Sequence, residues 1–348
     1  MLSSLSYFQL VFLVLQVLLT IVYSKFSLES SLAMILLLFT ITIQIFLYNK
    51  VELKINKKIT SPYSSLLIFV FILFSAYDLN LLSQIDKPKT LAGLQDVEQI
   101  GLLTKFAVVI LPAIAFTIYL SETNKLLKVS LLIGAFSISG YTSVMILSKM
   151  PLVPYVIFFI YMVRLGKISK IHILTFGLFL LPLLFSVYFI RGSSEDILEM
   201  ANMIIKRLVM LNETTYIINW LYSHDILGLH NLKDYPRLIT ENVFGYDSAT
   251  VGIAPSFLGF FLLIFGYIGL LPAFLFIYLV YVCIDILGFD SIFYRLFYFL
   301  WTLEILSFFT DGIPHFYLST RDGRFFWFLV VITAFLFLIK IYNTSQLL

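Results

Sequence analysis

Uninterrupted apolar runs recur along this chain, and its polar residues gather in the gaps between them. The runs cover 5–24, 31–48, 63–82, 100–120, 128–148, 152–163, 171–190, 255–287, 292–310 and 325–342. Most are close to the length of about 20 residues that a helix needs to cross a bilayer. A backbone facing lipid must satisfy its own hydrogen bonds within the segment, so these runs predict helices. The expected fold is all-α, a polytopic membrane helical bundle of about ten transmembrane helices. Two runs depart from the pattern. The run 152–163 is short, and Pro151 and Pro154 predict a tilted or broken helix there. The run 255–287 is too long for one straight span, and Gly266 and Gly269 divide it in a way that permits a bent or re-entrant path. The first run has no Lys or Arg ahead of it and no small-residue cleavage site after it, so it is expected to be a retained span rather than a signal peptide.

Orientation follows from Lys and Arg in the short gaps. Lys50, Lys54, Lys57 and Lys58, then Lys125 and Lys128, then Arg164, Lys167 and Lys170 all fall on one side if every run crosses. That side is expected to be cytoplasmic, with both termini on it. Lys87, Lys89 and Lys149 weaken the bias without reversing it. The chain then divides into N-terminal transmembrane helices over 1–190, a large outward loop over 191–252 and C-terminal transmembrane helices over 253–348. The last part contains a short outward loop at 311–324.

Composition agrees: 60% of the 348 residues are hydrophobic and 12% are charged, and the mean hydropathy is +0.99. A net charge of +3 is too small to argue for a nucleic-acid partner, and no Gly-rich phosphate loop occurs. The one cysteine, Cys283, excludes an internal disulfide and a thiolate zinc site.

Most of the candidate chemistry lies in the two outward loops. In the large loop, Ile197, Ala201, Ile204, Leu208 and Leu211 recur at steps of four and three, opposite Glu199, Asn202, Lys206 and Glu213. This predicts an amphipathic helix resting on the bundle or the membrane surface. Arg207 falls on the flank of the apolar stripe beside Met200 and Met203, and Arg191 sits at the membrane edge. Either arginine fits a role in the bundle or snorkelling to lipid phosphates. Gly228, Pro236 and Gly245 make the second half of the loop irregular, with His224, Asp225, His230 and Arg237 as its candidates. The two histidines, six residues apart, lack helical zinc spacing, so no metal is expected. The stretch IPHFYLSTRDGRFFW, residues 313–327, adds His315, Arg321, Asp322 and Arg324, with Gly323 expected to let the chain turn into the last span. Asp78, Lys105, Asp285 and Glu304 are ionisable residues within spans. The first two lie near span ends, where water is in reach. A charged Glu304 facing lipid at mid-span would cost about 2.5–3.5 kcal/mol, so it must meet a partner or a cavity, or carry a proton.

The segment SATVGIAPSFLGFFLLIFGYIGLL, residues 248–271, combines Pro255-Ser256, Gly259 and a later Gly266-Tyr267-Ile268-Gly269 opening a span. Together with Arg191-Gly192 after a span, RLVMLNETTYIINWL from Arg207 and an arginine-bearing last outward loop, it resembles the Wzy-type polymerases of O-antigen or capsule repeat units. The chain departs from many relatives at Phe260, where they carry an acid, so that acid's role does not carry over. His230-Asn231 is similar in form to the His-Asn of the related O-antigen ligases.

The resemblance implies a GT-C type membrane glycosyltransferase of the bacterial inner membrane. Such an enzyme moves a growing glycan from one undecaprenyl diphosphate carrier onto the next lipid-linked repeat unit, with no cofactor, nucleotide sugar or metal. The lipid bilayer, a chain-length regulator and a flippase are the other expected partners. Charge grows on the leaving diphosphate, and Arg191, Arg207, Arg237, Arg321 and Arg324 are the groups expected to bind it, since guanidinium stays charged and grips phosphate with two donors. His315, His224 and His230 are candidates for the base that takes the acceptor proton, with Asp225 behind the loop pair. Asp322 and Ser256 are expected in support, Asp322 by holding the flanking arginines. A ligase is the nearest alternative; a lipid-linked oligosaccharide flippase is the alternative of another class.

Overall fold

The computed structural model describes residues 63–88, 105–122, 124–168, 291–311 and 321–345, with Leu103 and scattered positions within 10–46, 176–187 and 268–282. Among the described residues every regular element is helical. These are α1 (Ser64–Leu82), a π-helical turn (Phe106–Ile110) continuing into α2 (Leu111–Ser121), α3 (Lys125–Met145), a 3-10 turn (Met150–Leu152) leading into α4 (Val153–Arg164), α5 (Ile292–Asp311) and α6 (Arg321–Ser345). Two of them, α1 and α3, are long and apolar enough to cross a membrane.

The pattern of burial explains how such helices pack. In α1 the buried positions Leu67, Phe71, Ser75, Asp78 and Leu82 form one stripe at helical spacing, while Leu66, Phe69, Ile72 and Leu73 on the other face are apolar and exposed. A continuous exposed apolar face of this kind is rare in a soluble monomer and suits contact with lipid. By contrast α2 is buried nearly all round, from Leu111 through Ile118, and packs against α1, α3 and α5. Phe116 of α2 stacks on Phe158 at 4.0 Å between centroids and meets Tyr155 and Phe299 edge-on.

Pro112 shapes the start of α2. Its ring presses on the carbonyl four residues back and it has no N–H to donate. The helix answers by widening into the π turn, where the Leu111 N–H reaches the Phe106 carbonyl. The Ala107 carbonyl then loses both possible helical donors: Leu111 is engaged elsewhere and Pro112 has no hydrogen. The buried Ser139 hydroxyl of α3 donates to it at 3.0 Å and also lies 3.1 Å from the Tyr155 hydroxyl of α4. The carbonyl left open by a local proline is thus met by a side chain of α3, whose hydroxyl is in turn within hydrogen-bond distance of one from α4.

Of the tilted or broken helix expected over 152–163, the break is corrected. Pro151 falls in the 3-10 turn and Pro154 in the first turn of α4, where backbone N–H groups have no intrahelical partner to lose, and the helix runs unbroken to Arg164. It ends with Gly166 at φ 65°, where the Gly166 and Lys167 N–H groups return to the Val163 and Met162 carbonyls. Leu147 takes the same left-handed position after α3, at φ 48°.

The helices alternate in direction. Leu81, Leu82 and Ile85 at the end of α1 cluster with Leu103 ahead of the π turn and with Met145 and Ile146 at the end of α3. At the opposite end, Tyr63 meets Phe293 at 5.2 Å, and Lys128 lies over the Tyr119 ring at 5.2 Å. The starts of α1, α3 and α5 therefore share one end of the bundle with the end of α2.

Candidate functional site

Of the residues expected from sequence to carry chemistry, Arg191, Arg207, His224, Asp225, His230, Arg237, Ser256 and His315 lie outside the described residues. So do the amphipathic helix, the loop 191–252 and Asp285. The remaining three, Arg321, Asp322 and Arg324, share one element, but not the one expected. The apolar pattern predicts a loop over 311–324 that holds them with Gly323; instead α5 runs to Asp311 and α6 begins at Arg321, so all three form the first helical turn. Gly323 sits inside that turn rather than at a bend ahead of it. Arg321 and Arg324 are three positions apart, which puts them on neighbouring positions of one helical face. Arg324 is exposed.

Beneath this turn the bundle holds a buried ion pair. Lys105 Nζ donates to both carboxylate oxygens of Glu304, at 2.9 and 2.7 Å, across a sequence separation of 199 residues. Glu304 is fully buried and Lys105 is 6% exposed. The pair meets the requirement that Glu304 find a partner, and corrects the expectation that Lys105 reaches water. Asp78, expected to do the same, is also fully buried. Its Oδ2 accepts a long hydrogen bond, 3.4 Å, from the Thr142 hydroxyl, while its Oδ1 and the Ser75 hydroxyl have no hydrogen-bond partner among the described residues.

The pair also touches α6. Lys105 Nζ lies 5.3 Å from the centre of the Phe325 ring, within the range of a cation–π contact. Next along, Phe326 is buried edge-on against Trp301 of α5 at 5.8 Å. Trp301 Nε1 donates to Thr333 Oγ1 at 2.7 Å, about two turns further along α6. Two aromatic residues directly after Arg324 therefore fasten the first turn of α6, one to the ion pair and one to α5.

A second buried cation, Arg295, stands at the opposite end. Its Nη1 donates to the Leu120 carbonyl at 3.2 Å and to Ser121 Oγ at 3.4 Å, where α2 ends. Asn124 Oδ1 accepts from the Leu126 and Leu127 N–H groups at the start of α3. Side chains thus cap both sides of the turn between α2 and α3.

Sequence reasoning did not pair Lys105 with Glu304 or single out Arg295, although depth carried a signal. At 1.5 Å per residue, Lys105 lies about 7.5 Å into its run and Glu304 about 9 Å from the end of its own, measured from the same end under alternate crossing. No family model matches this chain, and neither a curated protein nor a solved structure does.

Proposed function

We propose that the chain is a polymerase of undecaprenyl-diphosphate-linked oligosaccharide repeat units, acting as a metal-independent glycosyltransferase on the outer face of the bacterial inner membrane. On this reading it crosses the membrane with about ten helices and both termini cytoplasmic. The observation that carries the reading beyond the sequence resemblance is Arg321 and Arg324 together in the first turn of α6. A helix start offers unpaired N–H groups and a partial positive charge, which favour an anion. Two guanidinium groups on that turn suit a lipid-linked diphosphate, whose charge increases as the bond from the sugar's anomeric carbon to the diphosphate oxygen breaks. Arg191, Arg207 and Arg237 would complete the anion site from the large loop. His315, His224 or His230 would take the acceptor hydroxyl's proton, with Asp225, Asp322 and Ser256 in support.

A second reading, a lipid-linked oligosaccharide flippase, draws on the buried Asp78, Lys105, Arg295 and Glu304, since charge inside a bundle also marks transport paths. Deleting the gene in its host separates the two. Loss of the polymerase leaves surface glycan of core plus a single repeat unit; loss of a flippase removes the repeats altogether, and unchanged chain length dismisses both. At residue level, Arg324→Ala is expected to abolish chain extension while the protein remains in the membrane. Arg324→Lys should recover little, because it keeps the charge but loses the planar fork. Normal polymer from a well-expressed Arg324→Ala protein would remove that arginine from the site.

A further inference from the structure

We infer that the Lys105–Glu304 pair is a positioning device that sets where the first turn of α6 stands, and through it where Arg321 and Arg324 meet an anionic substrate group. The functional half of this inference rests on the polymerase reading; the structural half does not. Lys105 belongs to the segment entering the π turn and α2, Glu304 to α5, and the ring over which Lys105 lies belongs to α6. One ammonium group thus ties three helices together at a single point. Phe325 is the residue next to Arg324 and lies one turn beyond Arg321, so a shift of the backbone that carries the ring shifts the helical positions of both arginines.

The pair is poorly explained as a source of stability alone. Apolar residues of similar volume in place of a buried ion pair commonly leave a protein as stable or more so, because desolvation offsets most of the attraction. What an apolar replacement cannot supply is direction. A carboxylate held at both oxygens fixes the ammonium in one place, and the ammonium in turn prefers the face of the Phe325 ring. Lys105 also owes its phase to the π turn that follows it, since the extra residue per turn rotates everything ahead of Pro112 relative to α2. The segment is therefore shaped so that Lys105 points at Glu304.

The test uses the full chain in lipid nanodiscs with Cys283→Ser, spin labels at the exposed positions Leu79→Cys and Phe328→Cys, and pulsed electron resonance to read the distance between α1 and the start of α6. In Lys105→Met/Glu304→Leu, which removes both charges, thermal unfolding should stay at or above that of the parent while the label distance shifts or broadens. Phe325→Leu keeps the ion pair and should produce the same change to a smaller extent, so the idea remains testable if the double variant does not fold. Lys105→Arg, which retains two donors and the cation over the ring, should keep the parent distance. An unchanged distance in a folded Lys105→Met/Glu304→Leu protein overturns the inference, whatever happens to the glycan. In the host, the unlabelled double variant should extend about 100-fold fewer chains, the scale expected when a binding group is displaced by about 1 Å. A shifted distance with normal chain length would overturn the functional half. Unchanged glycan on deletion of the gene would instead refute the polymerase reading, leaving the distance measurement to judge the positioning.

Discussion

At one end of the described bundle the buried cation Lys105 is met by a full opposite charge on Glu304; at the other, the buried cation Arg295 is met by a helix terminus and a serine. Both arrangements remove a charge from an apolar interior, but they bind different things together. An ion pair joins two side chains from distant segments and holds a third helix through Phe325. A guanidinium on a helix end closes a local turn, using carbonyl groups that would otherwise be unpaired. The Arg295 end is therefore built as a capped turn, and the Lys105 end as a junction under the residues proposed to meet substrate.

The comparison is broken most severely by Lys105→Met alone. It takes away the ammonium bonded to both oxygens of a fully buried carboxylate, and a loss of about 3–5 kcal/mol is expected, read as a large drop in unfolding temperature in detergent or nanodiscs. Lys105→Met/Glu304→Leu should recover that loss, which distinguishes the cost of a buried carboxylate without its cation from a missing contact. Arg295→Met comes next. It removes charge-assisted hydrogen bonds of about 1.5–3 kcal/mol, and no second apolar change can rescue it, because the Leu120 carbonyl belongs to the backbone. A full rescue by Ser121→Ala would show that the carbonyl did not need Arg295. Asn124→Ala is the smallest change, about 1 kcal/mol from loss of the helix cap, and it should leave the Lys105 end and any chain extension unaltered. A change in the distance between labels at Leu79→Cys and Phe328→Cys in Asn124→Ala would mean that the two ends are not independent.

Much of the described helical framework was legible in the chain because the signal is local. The runs 63–82, 100–120, 128–148, 152–163, 292–310 and 325–342 each overlap a helix of the structure, since the length of an apolar run is a property of consecutive residues. Boundaries were less legible. The last helix begins at Arg321 rather than after Arg324, because polar residues continue a helix past the apolar run as readily as they form a loop. The prolines at 151 and 154 looked like breaks until their place in a first turn was known. Of the candidate site, the association of Arg321, Asp322 and Arg324 followed from their adjacency, while the ion pair beneath them depends on two segments 199 residues apart.

The sequence by itself determined that the described residues form helices from long apolar runs with few charges, because hydropathy and helical hydrogen bonding act over neighbouring residues. Only the tertiary structure decided which charge answers which. Lys105 and Asp78 both looked able to reach water, yet both are buried, one against Glu304 and one beside Thr142. The reason is geometric: the energy of a buried charge depends on the few ångströms to its partner, and that distance is set by how whole helices pack and phase rather than by any stretch of chain.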